Sequence, residues 1–296
     1  MNKNIYRYYQ NSSRLKHLYK ETAWGLPFRG AIRCKQYIYH KTKALWQYLQ
    51  TLPRRMGRSD GRFEPLRQLK GQYQGKRCFI TCTGPSLTIQ DLEALKNEYV
   101  FGMNSICLIH KQTKWKPDFF GIQDKNVFDK VKEALLSTDN GICFAPYSFK
   151  KRYNTPDNWI YFHTSGSYHL YEMGYETRFF AKFSDDCYNT VYDGYSITYS
   201  IMQLAVYMGF DELYLIGADC SYLGEKQHFI EHGNSNPAFE AGATKRLYAS
   251  YGEAKKYAEA HGIKIVNVTR GGCLELFPRE TLEDVLLRNE KNKTTK

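Results

Sequence analysis

The sequence predicts an α/β fold in which a mainly parallel sheet is covered by helices on both faces. From residue 77 onward, short apolar runs alternate with longer amphipathic segments. Apolar runs of this length are typical of buried strands, and strands that alternate with helices assemble into parallel sheets. A glycine-containing turn at residue 84 also joins the first strand of this region to its first helix, as is common in such folds. We therefore expect three layers, with the sheet in the middle.

Seven strands and four helices are predicted in this region. The strands span 77–82, 99–103, 118–123, 141–145, 159–163, 212–217 and 263–268. The helices span 88–97, 126–137, 195–208 and 240–261. Pro65 and the glycines at 71 and 75 indicate a linker before the first strand. The chain therefore divides into a basic, aromatic-rich helical arm and linker (1–70), an α/β domain (71–280) and a polar tail (281–296).

Residues 1–60 carry most of the positive charge of the chain. They contain thirteen Lys and Arg and only two acidic residues, with ten Tyr, Trp and Phe interleaved, whereas the whole protein has a formal net charge of +12. Basic residues mixed with aromatics suit an anionic membrane surface. A helical arm packed on its own domain or on a partner explains the same composition, and nucleic acid is a less favoured partner. We expect this segment to be helical in pieces, with breaks near Pro27 and at Pro53.

Other features of the composition limit where the protein acts. The sequence has no apolar run of about 18 residues or more, so no transmembrane helix is predicted. The first residues lack the apolar core of a signal peptide, which favours a cytoplasmic protein. The eight cysteines include several in apolar runs, where a reduced thiol acts as a small hydrophobic group. Cys78 and Cys82 lack the spacing of zinc ligands, and no metal site is predicted.

The turn at Gly84-Pro85-Ser86-Leu87 is the first candidate for a binding site. It lies between the strand at 77–82 and the helix at 88–97. In an α/β sheet such a turn holds an anion, because backbone N–H groups and the helix dipole point into it. We therefore expect a phosphate or nucleotide site at residues 83–86, with unpaired amides that face solvent. An ordinary tight turn is the alternative.

Polar residues follow five of the predicted strands. They are Thr83, Gly84 and Ser86, then Asn104 and Ser105, then Gln123, Asp124 and Asn126, then Gly217, Asp219 and Ser221, and finally Asn267, Thr269 and Arg270. Ligands of parallel sheets bind beyond the carboxyl ends of the strands. Five such ends together therefore favour a cleft at that edge of the sheet.

The order of these motifs resembles a known family. Thr83-Gly84-Pro85-Ser86-Leu87, Met103-Asn104-Ser105 and Leu215-Ile216-Gly217-Ala218-Asp219 are similar to the motifs of the MptE-like (6-hydroxymethylpterin diphosphokinase-like) Rossmann family. They also resemble, more distantly, the bacterial CMP-sialic acid-dependent sialyltransferases of lipooligosaccharide synthesis. The resemblance covers about residues 75–278. This sequence differs from those sialyltransferases in having Thr83 where they have Asn, and in lacking a His within 239–245.

The resemblance implies a Rossmann-like nucleotide-binding and catalytic domain. It implies that the turn and Asn104 hold the nucleotide and that Asp219 lies beside the reacting centre. Our candidate nucleotide-binding residues are Thr83, Gly84, Pro85, Ser86, Asn104, Ser105 and Gly217. Group transfer also needs a base for the acceptor hydroxyl, for which His228 is the first choice and Asp219 the second.

Five further residues are candidates for contacts with the substrate, namely Gln123, Asp124, Tyr195, Ser196 and Arg270. A helix N-cap is an equal alternative for Asp124, and a solvated turn residue is the alternative for Arg270. In a kinase, Asp124 and Asp219 would instead hold Mg²⁺ between ATP phosphates.

The predicted function is that of a glycosyltransferase-like enzyme of bacterial surface polysaccharide synthesis. It would use a nucleotide-activated sugar, with CMP among the candidate carriers, and a lipid-linked or oligosaccharide acceptor. Residues 1–60 would hold it on the inner face of the cell membrane, and a homo-oligomer is compatible with the sequence. One alternative is MptE-like pyrophosphoryl transfer from ATP to a hydroxymethylpterin-type substrate, which would need Mg²⁺. The other is a non-catalytic nucleotide-sugar-binding module. No cofactor is firmly implied.

Overall fold

The computed structural model describes residues 25–166, 179–220, 229–230 and 243–294. Its strands are β1 (Arg77–Thr81), β2 (Tyr99–Met103), β3 (Phe119–Gly121), β4 (Ile142–Pro146), β5 (Ile160–Phe162), β6 (Thr164–Ser165), β7 (Val191–Tyr192), β8 (Glu212–Ile216) and β9 (Lys264–Asn267). Its helices are α1 (Gly25–Arg55), α2 (Glu64–Gln68), α3 (Ile89–Ala94), the 3₁₀ helix η1 (Asn104–Lys111), α4 (Lys125–Ser137), α5 (Tyr147–Arg152), α6 (Ile197–Met208), α7 (Ala243–His261) and α8 (Leu282–Thr294).

Seven strands form one parallel sheet in the order β5-β4-β3-β2-β1-β8-β9. All seven were predicted from the sequence, and the α/β fold class is confirmed. The chain builds the sheet outward from β1 to β5 and then returns to place β8 on the other side of β1. This reversal makes the gap between β1 and β8 the topological switch point, where open parallel sheets bind ligands. We call the end of the sheet where its strands terminate the carboxyl edge.

Alternating side chains of the strands pack against two separate helical layers. Ile80 and Phe101 face the layer that contains α6 and α7. Phe79 and Val100 face the layer that contains α3, α4 and α8. Apolar residues on both faces are what a fully covered parallel sheet requires. The three layers expected from the sequence are therefore confirmed.

The N-terminal region differs in two ways from its sequence-based description. Helix α1 continues through Pro53 instead of breaking there. Pro53 lies in the last turn of the helix, so the hydrogen bond that it cannot donate is lost only near the helix end. Phe63 and Leu66, within the expected linker, are buried in the core of the α/β domain. This part of the linker therefore packs as part of the domain.

The C-terminal region also packs on the domain. Residues 281–296 were expected to form a polar tail, but they include α8, whose Leu282 and Val285 are buried. Arg77 at the start of β1 donates a hydrogen bond from Nη1 to the Val285 carbonyl at 3.0 Å. Polar residues dominate α8, so two apolar positions one turn apart gave too weak a pattern to predict it. Within the described residues, no helix is long and apolar enough to cross a membrane.

Candidate active site

The switch point between β1 and β8 is closed by a contact between two loops. Residues 83–86, which we call the elbow, follow β1, and Asp219 lies on the loop after β8. Ser86 donates a hydrogen bond from Oγ to Asp219 Oδ2 at 2.8 Å. The Gly84 amide donates to the Gly217 carbonyl at 2.9 Å. The elbow and Asp219, both predicted site residues, therefore lie together, as the sequence indicated.

Asp219 lies between two glycines whose missing side chains make room for it. A Cβ atom on Gly84 would be 2.0 Å from Asp219 Oδ2 and 2.4 Å from the Gly217 carbonyl oxygen. On the other side, a Cβ atom on Gly272 would be 2.7 Å from the Asp219 carbonyl oxygen. Only 8% of Asp219 is exposed. The carboxylate is thus held rigidly at the elbow, with one oxygen on the Ser86 hydroxyl.

The prediction that the amides of the elbow are unpaired is wrong for Gly84. Its N–H group donates to Gly217, and Pro85 has no N–H group. Among the described residues, the amides of Thr83 and Ser86 have no hydrogen-bond partner. The side chains of the elbow are half-buried, so a ligand can reach them. The elbow therefore offers an anion two amides at most, fewer than expected.

The position of Asp219 also determines which group can approach the elbow. Two like charges about 4 Å apart repel by about 4 kcal/mol at the effective dielectric constant of a protein surface. A phosphate that touched both Ser86 and Asp219 would therefore need a cation beside it. A hydroxyl group, in contrast, can donate a hydrogen bond to the carboxylate. Asp219 is thus better suited to a sugar or acceptor hydroxyl than to a bare phosphate.

Asn104 lies at the end of β2, next to the elbow. The β1–β2 register pairs Ile80 with Phe101, so its continuation brings Asn104 opposite Thr83. Asn104 has a left-handed backbone with φ of 49°, and its buried Oδ1 has no hydrogen-bond partner among the described residues. A strained residue with an unsatisfied amide oxygen is a frequent feature of binding sites. The predicted proximity of Asn104 to the elbow is therefore supported by the strand register.

Ser105 does not face the crevice as expected. Its side chain is buried, and its hydroxyl has no partner in the described part of the chain. Gly217 is buried as well and reaches the elbow only through its carbonyl group. The nucleotide contacts of both residues stay predictions.

Helix α6 begins at the carboxyl edge of the sheet. Ser196 caps it by accepting a hydrogen bond from the Thr198 amide at 3.1 Å. Thr198 Oγ1 lies 3.5 Å from Cys82 Sγ and 3.4 Å from Met103 Sδ, next to the elbow and Asn104. The positive end of the α6 dipole therefore points toward the switch point, where it favours an anion.

Gln123 and Tyr195 belong to the same cluster. Gln123 Oε1 accepts a hydrogen bond from Ser200 Oγ of α6 at 2.7 Å. The Tyr195 amide donates to Asp193 at 3.0 Å, in a turn where Tyr195 has φ of 68°. Gln123 Nε2 lies 3.5 Å from the same Asp193 carboxylate. Gln123, Tyr195 and Ser196, all predicted to contact the substrate, thus meet at the start of α6.

Asp124 lies apart from this cluster. It is exposed and caps α4, accepting hydrogen bonds from the amides of Asn126 at 2.7 Å and Val127 at 3.3 Å. It follows β3, three strands away from β8 in the sheet. Three strand spacings amount to about 14 Å, whereas two ligands of one Mg²⁺ lie within about 4 Å of each other. Asp124 and Asp219 therefore cannot hold the same Mg²⁺, and this predicted pair is wrong.

Arg270 is not the free cation that was expected. Its guanidinium group makes a bidentate ion pair with Asp91, with Nη1 2.7 Å from Oδ1 and Nη2 on Oδ2. Asp91 and Thr88 form the capping box of α3, directly after the elbow. Arg270 thus ties the turn after β9 to the start of α3, and the hydrogen bonds that it donates to Asp91 raise its pKa.

Several residues that support the site were not among the predicted set. They are Thr88, Asp91 and Gly272, while Thr269 was expected at this edge without a role. The Thr-x-x-Asp spacing of the capping box is a signal that the sequence contains. Thr269 Oγ1 accepts a hydrogen bond from the Ala218 amide at 2.9 Å and so positions the Asp219 loop. Nothing local in the sequence indicates that contact.

Two thiols near the crevice are poor nucleophiles. Burial raises the pKa of Cys82 to about 12 and also raises the pKa of Cys220. Thiolates are the reactive form of cysteine, so neither side chain is reactive at neutral pH. The described residues contain no group of three His, Cys, Asp or Glu arranged to hold a metal ion.

His228, the predicted base, lies outside the described residues, as does Ser221. Phe229, the next residue in the sequence after His228, donates its amide to the Thr83 carbonyl of the elbow at 2.8 Å. The role of His228 stays a prediction.

The family model for 6-hydroxymethylpterin diphosphokinase MptE-like proteins matches residues 59–225. No curated protein gives a significant match. Among solved structures, a MAf glycosyltransferase from Magnetospirillum magneticum AMB-1 has a TM-score of 0.45 and 14% identity. That match covers 77% of this chain and 40% of the glycosyltransferase, so the chain spans well under half of that protein.

Two sialyltransferases from Campylobacter jejuni are also similar in structure. CstII in complex with cytidine-5'-monophosphate has a TM-score of 0.45 and 15% identity, over 70% of this chain and 85% of CstII. The α-2,3-sialyltransferase Cst-I has a TM-score of 0.45 and 14% identity, over 70% of this chain and 81% of Cst-I. Likeness at this level says nothing about the reaction.

Proposed function

Because the chain belongs to the MptE-like family, we propose that it is a transferase that binds a nucleotide-activated donor at the crevice between β1 and β8. The observation that carries this proposal is the contact of Ser86 and Gly84 with the loop of Asp219 at the topological switch point. The start of α6 and the unsatisfied amide of Asn104 border the same crevice. Together these groups supply sites for an anion, for hydroxyl groups and for a reacting carboxylate.

Glycosyl transfer is the reaction that we favour. In this reaction the acceptor hydroxyl attacks the anomeric carbon of the sugar, and the bond to the nucleotide phosphate breaks. The proton of the hydroxyl passes to a base, and the phosphate leaves with the electron pair. Asp219 can bind or deprotonate a hydroxyl, since its buried carboxylate is held by Ser86 and, in the part of the chain that the structure describes, pairs with no cation. His228 is the other candidate base.

The remaining residues suit particular parts of the donor. The N-terminus of α6 is suited to the leaving phosphate. The amides of Thr83 and Ser86, which have no partner among the described residues, would hold that phosphate only where it does not touch Asp219. Asn104 is suited to the nucleoside, because its unsatisfied oxygen can accept a hydrogen bond from a ribose hydroxyl or a base amine. Gln123, Tyr195 and Ser196 are placed to contact the transferred sugar or the acceptor. Asp124 and Arg270 would act only at the margin of the site.

A second candidate reaction is pyrophosphoryl transfer from ATP to a hydroxymethylpterin-type substrate. The description of the family favours it, and so does the carboxylate at the elbow. Asp219 beside a triphosphate would require Mg²⁺ to offset the repulsion between the two anions. Asp219 would then be a metal ligand without help from Asp124. A non-catalytic nucleotide-sugar-binding module is the third candidate.

The biological setting is also part of this proposal. The acceptor would be a lipid-linked or oligosaccharide intermediate of bacterial surface polysaccharide synthesis. The protein would be cytoplasmic and would lie on the inner face of the cell membrane, held there through residues 1–60. The positive charge of that segment supports an anionic surface as its partner.

Thermal shifts with CMP, UDP, GDP and ATP, each with and without Mg²⁺, test the choice of donor. A ligand at a hundred times its Kd stabilises the protein by about 2.7 kcal/mol, or about 5 °C in Tm for a domain of this size. A shift with a pyrimidine or guanine nucleotide supports glycosyl transfer. A shift with ATP that needs Mg²⁺ supports pyrophosphoryl transfer instead. No shift with any nucleotide refutes a nucleotide donor.

Asp219→Asn separates the roles of charge and shape in the same assay. The substitution keeps the hydrogen bond with Ser86 but removes the negative charge beside the phosphate. We expect unchanged or tighter binding of the nucleotide and a loss of turnover of about a hundredfold or more. Asp129→Asn, on the exposed face of α4, is the matched control and should change neither. Weaker nucleotide binding by Asp219→Asn would instead indicate a Mg²⁺ ligand.

A further inference from the structure

Large hydrophobic side chains are exposed mainly on one helix. In the part of the chain that the structure describes, those exposed on residues 34–56 are Tyr37, Ile38, Tyr39, Leu45, Trp46, Tyr48, Leu49 and Met56, with exposed fractions from 45% to 69%. Only four others are exposed elsewhere in that part, at Tyr99, Leu136, Phe180 and Leu287. Single exposed apolar residues are normal, but a cluster of this size marks an interaction surface.

The opposite side of α1 is packed on the domain. Thr51 and Arg54 are buried there, and Gln47 Oε1 accepts a hydrogen bond from Ser165 Oγ at 2.9 Å. Arg54 donates from Nη2 to the Asn189 carbonyl at 2.8 Å. The last turns of the helix are therefore anchored to the domain, and its exposed apolar residues lie away from these contacts.

Several of the exposed side chains share one face of the helix. With 3.6 residues per turn, Ile38, Leu45 and Leu49 lie above one another, opposite Gln47 and Arg54. Met56 continues this row just after the helix, where its amide donates to the Leu52 carbonyl. We call this stripe the outer face of α1. Trp46 and Tyr48 flank it on its two sides. An amphipathic helix with aromatic side chains at its margins is typical of helices that lie in the headgroup region of a bilayer.

Charge determines which partner fits the outer face. The sequence of α1 contains seven Lys and Arg and no Asp or Glu. Lys35, Lys41 and Arg55 are exposed beside the apolar stripe. A second copy of the helix, parallel or antiparallel, would set basic residues against basic residues with no acidic residue to pair them. An anionic lipid surface is complementary to both the charge and the apolar stripe.

We propose that the outer face of α1 docks the protein on an anionic bilayer, with the helix axis parallel to the membrane surface. Ile38, Leu45, Leu49 and Met56 enter the headgroup region, and Lys35 and Lys41 contact lipid phosphates. This proposal deepens the membrane placement in the proposed function by naming the surface that makes the contact. It does not depend on the donor or on the reaction.

The docking also orients the active site. Gln47 and Arg54 of α1 bond to Ser165 and Asn189, two residues of the α/β domain. The helix is therefore fixed relative to the sheet, and a bilayer on its outer face would hold the crevice between β1 and β8 in one orientation.

Vesicle sedimentation with the full chain tests the proposal. The vesicles contain phosphatidylcholine alone or phosphatidylcholine mixed with phosphatidylglycerol. The protein should bind the anionic vesicles, and binding should weaken as salt is raised. Leu45→Ser/Leu49→Ser should weaken binding by about tenfold or more, equivalent to about 1.4 kcal/mol. Its control, Leu136→Ser/Leu287→Ser, removes two exposed leucines elsewhere and should bind as the parent protein does.

A second pair of variants tests the charge. Lys35→Glu/Lys41→Glu should weaken binding to anionic vesicles several-fold. Lys130→Glu/Lys132→Glu on α4 is the control, and it should change the logarithm of the dissociation constant by less than half as much. Because all these side chains are exposed, we expect every variant to fold, and circular dichroism checks this.

Three results would overturn the proposal. They are equal binding by the outer-face and control variants, equal binding to neutral and anionic vesicles, and a dimer in solution that Leu45→Ser/Leu49→Ser dissociates while no vesicles bind. The last result would assign the outer face to a second copy of the chain. Nucleotide shifts are measured on the same samples. A protein that binds vesicles but no nucleotide would refute the proposed function and leave the docking proposal standing. A protein that binds a nucleotide but no vesicles would refute the docking proposal and leave the proposed function standing.

Discussion

Replacing Gly84 with alanine should disrupt the crevice between β1 and β8. The added Cβ atom would lie 2.4 Å from the Gly217 carbonyl oxygen and 2.0 Å from Asp219 Oδ2. The Gly217 carbonyl oxygen belongs to the backbone at the end of β8, so it cannot move aside as a flexible side chain can. The elbow must therefore separate from β8, which breaks the hydrogen bond between Gly84 and Gly217 and the one between Ser86 and Asp219.

The size of the effect follows from those two hydrogen bonds. A neutral backbone hydrogen bond contributes about 1 kcal/mol and one to a charged group about 2 kcal/mol. We therefore expect Gly84→Ala to lower the free energy of unfolding by about 3 kcal/mol. Urea unfolding measures this as a lower midpoint at constant slope. Nucleotide-induced stabilisation should be lost in the same variant, because the elbow no longer has its shape.

Gly252→Ala is the matched control. Gly252 lies inside α7, and a Cβ atom there would contact nothing within 4 Å. The same substitution should stabilise the protein by about 0.5–1 kcal/mol, since alanine favours the helix. In an Asp219→Ala background the cost of Gly84→Ala should fall but not vanish, because the clash with Gly217 remains. Equal unfolding midpoints for Gly84→Ala and the parent protein would refute the reasoning.

Two further predictions concern the region where α1 joins the domain. Burial, helped by nearby arginines, lowers the pKa of His163 to about 4 from 6.5. Above pH 6.5 this shift does not change the free energy of unfolding, because His163 is neutral in both states. As the pH falls from 6.5 to 4, the unfolded chain binds a proton at His163 that the folded protein does not bind. The parent protein should therefore lose about 1.4 kcal/mol per pH unit in that window relative to His163→Gln, and parallel pH profiles would contradict this. Arg54→Met should lower the free energy of unfolding by about 2–4 kcal/mol, because buried Arg54 donates hydrogen bonds to Asp60 and to a backbone carbonyl. The Arg62 side chain is 52% exposed, so Arg62→Met should lower the free energy of unfolding by less than about 1 kcal/mol. Similar unfolding free energies for the two variants would contradict the role of burial.

The sequence was most informative where a pattern is local. The strands of the central sheet are continuous apolar runs, so their positions follow from composition alone. The order of polar residues after those strands then placed the elbow, Asn104 and Asp219 at one edge. In contrast, α8 was missed because its burial rests on Leu282 and Val285. The continuity of α1 through Pro53 was missed because the proline lies so near the helix end that it breaks little.

The finer features of the site depend on partners that are distant in sequence. The turn at Gly84 predicts unpaired amides, yet the carbonyl group of Gly217, which follows another strand, accepts a hydrogen bond from one of them. Arg270 looks like a phosphate ligand on its own turn, but Asp91 lies within reach only after the sheet has formed. Pairing of this kind leaves no local pattern, since it is set by strand order and register. Sequence reasoning therefore located the site better than it assigned roles within it.

The position of the crevice relative to the outer face of α1 is fixed by one connection of the chain. After β5 the chain passes through Ser165 and Asn189 on its way to α6, and both residues contact α1. The same passage returns the chain to place β8 beside β1, which creates the switch point at the elbow. The residues that anchor α1 thus belong to the passage that creates the switch point. An arm attached through a flexible linker would leave the crevice free to face any direction, whereas these contacts fix the outer face of α1 relative to the crevice.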